Sequence, residues 1–68
     1  MTRVQIEKSL TQFVNGAGWI NKKELAGYLG CHFQSDLVRR TTKGLPKIGQ
    51  KYSTYDVSER LFDMQEVR

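Results

Sequence analysis

Glycine and proline punctuate the middle of this chain so closely that neither a long helix nor a long strand fits there. Gly30, Gly44, Pro46 and Gly49 leave room only for two short helices and a tight hairpin between Asn21 and Tyr52. Asn21, with Glu24 three residues on, has the form of a capping box with Asn in place of Ser or Thr, so a helix starts at Lys22. Leu25, Ala26 and Leu29 share one face of it, Tyr28 borders that face, and Gly30 supplies the left-handed residue that ends it.

A second helix is expected from about Gln34 to Lys43. With Leu37 as the inward direction, Phe33 and Thr41 fall on the same side, whereas Ser35, Arg39 and Thr42 lie opposite, flanked by Val38 and Lys43. Gly44 ends this helix and Pro46 prevents its resumption. Leu45 to Ile48 and Tyr52 to Thr54 then read as short strands joined through Gly49, Gln50 and Lys51. A lone hairpin is marginal in water, so Leu45, Ile48 and Tyr52 are expected to anchor it, leaving Lys51 at a projecting tip with Lys47 nearby.

The flanks read as helices. Ile6, Leu10, Phe13 and Val14 form an apolar stripe from about Val4 to Asn15, with Gln5, Lys8, Thr11 and Gln12 pointing away, and Gly16 and Gly18 break the element. That stripe suits either packing on the rest of the domain or a dimer contact. Trp19 and Ile20 make a short apolar pair. Thr54 can cap a last helix from about Tyr55 to Glu66, with Val57, Leu61 and Met64 on one face, Tyr55 and Phe62 widening it, and Glu59, Asp63 and Glu66 opposite. The expected fold is a single domain over residues 1–68, mainly α with a small β-hairpin. It is a winged helix-turn-helix with an extra N-terminal helix: helix 4–15, helix-turn-helix 21–43, wing 45–54 and C-terminal helix 55–66.

A chain of 68 residues has room for one small core, and its single Cys31 excludes an internal disulfide framework. Cys31 reads as a small buried hydrophobe and the compartment as reducing. No apolar run approaches the roughly 20 residues that span a bilayer, and the start of the chain lacks signal-peptide character. The expectation is a cytoplasmic protein with no membrane partner.

One His, one Cys and scattered carboxylates, without a phosphate-binding glycine loop, give no catalytic constellation. The chain reads as a non-enzyme without a cofactor. Adjacent Cys31 and His32 lack the second ligand pair of a zinc site, so no metal is expected; His32 suits the turn between helices, capping the next helix or touching a phosphate.

The formal charge of +4 is segregated. From Asn21 to Lys51, Lys22, Lys23, Arg39, Arg40, Lys43, Lys47 and Lys51 face only Glu24 and Asp36, whereas from Tyr52 onward four carboxylates outweigh Arg60 and Arg68. Either the middle segment faces a polyanion or it is a solvated lysine-rich surface. On the first reading the partner is double-stranded DNA. Asn21, Lys22, Lys23, Arg40 and Lys43 suit the sugar-phosphate backbone, and Lys47, Gln50 and Lys51 suit a wing at the minor groove or backbone. Base reading falls to Arg39, able to pair bidentately with guanine, to single hydrogen bonds from Ser35 and Thr42, and to Val38 against a thymine methyl.

The stretch Asn21-Lys-Lys-Glu-Leu-Ala-Gly-Tyr-Leu-Gly30, the helix after it, Lys43-Gly-Leu-Pro-Lys-Ile-Gly-Gln-Lys-Tyr52 and the closing Tyr55-Asp-Val57 resemble the excisionase-like winged helix-turn-helix domains of phages and mobile elements. They are also similar to the DNA-binding heads of the mercury-resistance regulator superfamily. The resemblance runs from about Trp19 to Leu61, and the amphipathic helix before it lies outside the minimal module. It implies a recognition helix in the major groove and a wing at the adjacent minor groove, carried over to Ser35, Arg39 and Lys43 and to Gln50 and Lys51. It further implies tandem, often cooperative binding beside another copy of the chain, DNA bending, and assistance to an integrase. The expected role is therefore an excisionase-type architectural factor or a transcriptional regulator of a phage, plasmid or other mobile element. The alternative is a protein-binding adaptor or antirepressor that uses the apolar faces of the terminal helices.

Overall fold

Thr2 starts the first helix by a device purely local to its own turn. Its hydroxyl accepts from the Gln5 amide at 3.2 Å while the Gln5 side chain accepts from the Thr2 amide at 2.9 Å, a reciprocal cap that fixes helix α1 at Arg3–Phe13. The computed structural model describes residues 2–65. After α1 come strand β1 (Trp19–Asn21), helices α2 (Lys22–Leu29) and α3 (Asp36–Thr42), strands β2 (Lys47–Ile48) and β3 (Lys51–Ser53), and helix α4 (Thr54–Met64). The fold is mainly helical with one small antiparallel sheet. Among the described residues no helix is long and apolar enough to cross a membrane.

The expected capping box at Asn21 is present. The Asn21 side chain accepts from the Glu24 amide at 2.8 Å and Glu24 accepts from the Asn21 amide at 3.0 Å. At the other end of α2, Gly30 has φ +75°, and the Gly30 and Cys31 amides reach back to the Gly27 and Ala26 carbonyls. This is the double closure that a left-handed residue after a helix allows. α1 ends in the same way, but there the left-handed residue is Asn15 with φ +58°, one position before the Gly16 expected to break it.

Ile6, Leu10 and Val14 of α1 are buried with Ile20, Leu25, Ala26, Val38, Tyr52 and Val57. The stripe of α1 therefore packs inside the chain, most extensively on α4. Arg3 reinforces that contact: it pairs with Glu7 at 2.7 Å, donates to the Ser58 hydroxyl at 3.3 Å and lies 4.3 Å over the Tyr55 ring. The Glu7 hydrogen bond raises the pKa of the guanidinium, so it is charged throughout the working pH range. Phe13, expected in the stripe, is instead 48% exposed and meets the Tyr28 ring edge-on.

Trp19–Asn21 is a strand, where the sequence shows only an apolar pair. It pairs with β3, so that the sheet order is β1-β3-β2 and Ile20 lies opposite Tyr52. The hairpin is tighter than expected. Its turn is the two residues Gly49 and Gln50, with φ +62° at Gly49 alone, the sign pattern of a tight hairpin turn that needs glycine first. Lys51 thus belongs to the central strand and not to the tip. Ile48, expected to anchor the hairpin, is 70% exposed, because it lies opposite Lys51 on the face turned away from Tyr52.

Ser53, and not Thr54, caps α4: its hydroxyl accepts from the Tyr55 amide at 3.1 Å. Thr54 is buried and donates to the Gly18 carbonyl at 3.3 Å, tying the start of α4 to the turn before β1. The helix runs to Met64 with Gln65 as its C-cap, and Glu66, the expected end, lies outside the described residues.

Gly27 offers a stability test. A Cβ there would approach the Phe13 ring at 3.4 Å, a contact that a half-exposed side chain can relieve, and the residue sits inside α2. Gly27→Ala should stabilise the fold by about 0.5–1 kcal/mol through helix propensity. A lower urea midpoint for this variant would mean that α1 and α2 cannot separate by a few tenths of an ångström.

Candidate nucleic-acid interface

Short α3 has few backbone bonds of its own, and its neighbours supply the rest. The Ser35 hydroxyl accepts from the Val38 amide at 3.4 Å, which caps the N-terminal end and orients the helix from the turn after Gly30. At the other end Arg60 of α4 donates to the carbonyls of Arg40 and Thr41 at 2.7 and 3.4 Å, satisfying groups that a helix terminus leaves open. Thr41 and Thr42 return their hydroxyls to the carbonyls of Leu37 and Val38 at 2.7 and 2.9 Å. Both threonines can therefore be buried without an orphaned polar atom.

This bonding sets the rotation of α3. Val38, Thr41 and Thr42 face the core, and Asp36, Arg39 and Arg40 face out with Lys43 beyond the last turn. Three of the four expected base readers are corrected by it. Val38 is fully buried and cannot meet a thymine methyl. Thr42 is 5% exposed with its hydroxyl committed to Val38, and Ser35 is a helix cap whose hydroxyl also donates to the Cys31 sulfur at 3.3 Å. Arg39 alone among them projects freely, with two-thirds of its side chain exposed and a surface ion pair to Asp36. Such exposed pairs are worth little, so the guanidinium can exchange Asp36 for another anion at small cost.

Around α3 runs an open groove in three adjoining depressions, all lined by Lys22. The first lies against α3 and is lined by Asp36, Arg39, Arg40, Thr42, Lys43 and Tyr52. The second lies between the start of α2 and the hairpin, among Asn21, Lys23, Lys47, Gln50 and Tyr52. The third adds Gln34 beside Arg39 and Phe33, the last of which also lines the second. Lys22, Lys23, Arg39, Arg40, Lys43 and Lys47 thus line one open surface on which Asp36 is the one carboxylate among the described residues that form these depressions.

The sheet register divides the two hairpin lysines. Lys47 lies opposite Tyr52 and so shares the groove side, whereas Lys51 lies opposite Ile48 on the other face and lines none of the three depressions. Of the three expected wing residues, Lys47 and the tip residue Gln50 line the groove and Lys51 does not. Tyr52, Gln34 and Phe33 also line the groove, although no sequence signal marks them as site residues. Lys23 sits 5.6 Å from the centre of the Phe33 ring, and the His32 ring stacks on Phe33 at 4.8 Å between centroids. The His32 ring nitrogen Nδ1 accepts from the Gln34 amide at 3.1 Å, which holds the turn leading into α3.

Among the described residues no three His, Cys, Asp or Glu side chains gather closely enough to hold a metal ion. Away from the groove, Val4, Tyr55 and Phe62 leave 42–50% of their surface exposed on α1 and α4. Compared with models of protein families, with curated proteins and with solved structures, the chain matches none.

Proposed function

We propose that this protein binds double-stranded DNA, with α2 and α3 as a helix-turn-helix and the β2–β3 hairpin as its wing. The observation that carries this reading is the convergence of six cations from three separate elements on one groove, with only Asp36 among them. A solvated lysine-rich surface needs no such convergence; neutralising a run of phosphates does. The dimensions agree. Seven helical residues are about 10 Å long, and a helix of normal diameter enters the roughly 12 Å wide major groove end-on or lengthwise.

In this role Arg39 and the neighbouring Gln34 are the side chains able to reach base edges, by bidentate hydrogen bonds to guanine and adenine. Lys22, Lys23, Arg40 and Lys43 hold phosphates on either side of α3, and Lys47 with Gln50 holds the strand beneath the wing. With few base contacts against many cations, the binding energy is mostly electrostatic. That balance suits an architectural factor of a mobile element, of excisionase type, or a regulator that binds repeated sites beside other copies of itself.

The test is binding to duplex DNA as salt is varied. Affinity should fall steeply, on a straight line in log–log form, with a slope set by the number of phosphates held. No binding at low salt, or binding indifferent to salt, would end the proposal. Arg39→Ala should cost about 1–3 kcal/mol on a preferred site and less on random duplex, relaxing base preference. Equal losses on both would assign Arg39 to phosphate instead.

A further inference from the structure

Tyr52 is the groove residue whose chemistry the six cations leave unused. Its ring is part of the core, opposite Ile20 on one side and Lys47 on the other, and only 5% of the residue is exposed. Among the described residues its hydroxyl has no hydrogen-bond partner, yet no sealed, unpartnered polar side-chain atom exists there. The hydroxyl therefore keeps access to solvent. Tyr52 lines the first two depressions together with Lys22, which places it at their junction.

The tyrosine ring is held by the core while its solvent-accessible hydroxyl has no partner in the fold, which leaves a fixed donor free to take an acceptor from the groove. The start of α2 adds donors at the same place. Asn21 caps the Glu24 amide, leaving the amides of Lys22 and Lys23 in the first turn without helical partners and with the positive end of the helix dipole behind them.

We infer that this junction is a phosphate seat: one DNA backbone phosphate accepts from the Tyr52 hydroxyl and the first-turn amides of α2, with Lys22 and Lys47 as its cations. The inference rests on the DNA-binding reading for the source of the phosphate, though not for the anion chemistry. The seat fixes the register of the protein on the backbone. It carries no base preference of its own, because every nucleotide presents the same group.

Tyr52→Phe tests it, since the ring that packs is kept and only the free donor is removed. Removing a hydrogen bond to a charged acceptor should weaken duplex binding roughly tenfold, equally on preferred and random sequences. The salt slope should not change, because the net charge is the same, and the unfolding midpoint should not fall, because the hydroxyl has no partner in the free protein. Lys22→Gln should instead lower the slope by about one. The double variant should lose less than the product of the two single losses, as expected when both side chains hold one phosphate.

If the unaltered protein binds DNA and Tyr52→Phe binds equally well, the seat is wrong while the DNA reading stands. A midpoint that falls together with affinity would make the hydroxyl structural and also overturn it. If the unaltered protein binds no DNA, titration with inorganic phosphate followed by amide chemical shifts decides. Shifts at Lys22 and Lys23 that vanish in Tyr52→Phe support an anion seat for another phosphate source, and their absence refutes it.

Discussion

Leu10→Ala is expected to lower stability by about 2–5 kcal/mol, enough to leave a large unfolded fraction at 37 °C. Leu10 is fully buried in the middle of α1 and flanked one turn away on each side by buried Ile6 and Val14, so nothing nearby is free to fill the space. A chain of this size has roughly 3–10 kcal/mol of total stability, and the substitution removes much of it. The measurement is a urea transition, in which the midpoint should move and the slope should not. Val4→Ala on the same helix should change the midpoint little, because half of Val4 is already in solvent. An unchanged midpoint for Leu10→Ala would mean that α1 is an arm laid on the domain and not part of its core. The domain would then be only the unit from Trp19 onward.

The features legible in the sequence are those decided within a few residues. Asn21 and Glu24 close their cap across three positions, and Gly30 and Gly49 adopt backbone angles that few other residues accept. The rotation of α3 is not legible, and the reason is chemical. Taking Leu37 as the inward direction puts Thr41 inside, where the fold has it, but leaves Val38 and Thr42 outside. In the fold Thr41 and Thr42 satisfy their hydroxyls on carbonyls one turn back and are buried like valines, which turns Val38 inward and moves the whole face by about one residue. That one effect buries Val38 and commits the Thr42 hydroxyl within its own helix, although Thr42 still lines the first depression.

Strand β1 is hidden for a different reason. Trp19–Asn21 is too short to show a period, and its only reason to be a strand is a partner more than thirty positions later in β3. That pairing also governs the site. It puts Tyr52 on the buried face beside Ile20, and the local β2–β3 hairpin with its two-residue turn then puts Lys47 on that same face and Lys51 on the other. The charge segregation is visible from residue counts alone. Which of those charges converge depends on the hairpin register and on how α2 and α3 pack beside it.

Neutralising Lys22, Arg40 and Lys47 together with glutamine should reduce duplex affinity by roughly 10²-fold or more near physiological salt, the largest effect on binding expected for this chain. The three residues come from α2, α3 and the hairpin, and they line the groove from separate sides. Each phosphate no longer neutralised should flatten the slope of log affinity against log salt by about 0.9, so the triple variant should lose roughly two to three units of slope. All three side chains are largely solvent-facing, and the variant should fold with a midpoint close to that of the unaltered protein. The decisive comparison is between the hairpin lysines taken singly. Lys47→Gln and Lys51→Gln remove the same charge from adjacent strands, but the register sends them to opposite faces of the sheet. Lys47→Gln should lower both affinity and slope, whereas Lys51→Gln should leave the slope almost unchanged. If the two lose equally, DNA responds to net charge and not to the groove, and both the groove as binding surface and the phosphate seat at Tyr52 fall with it.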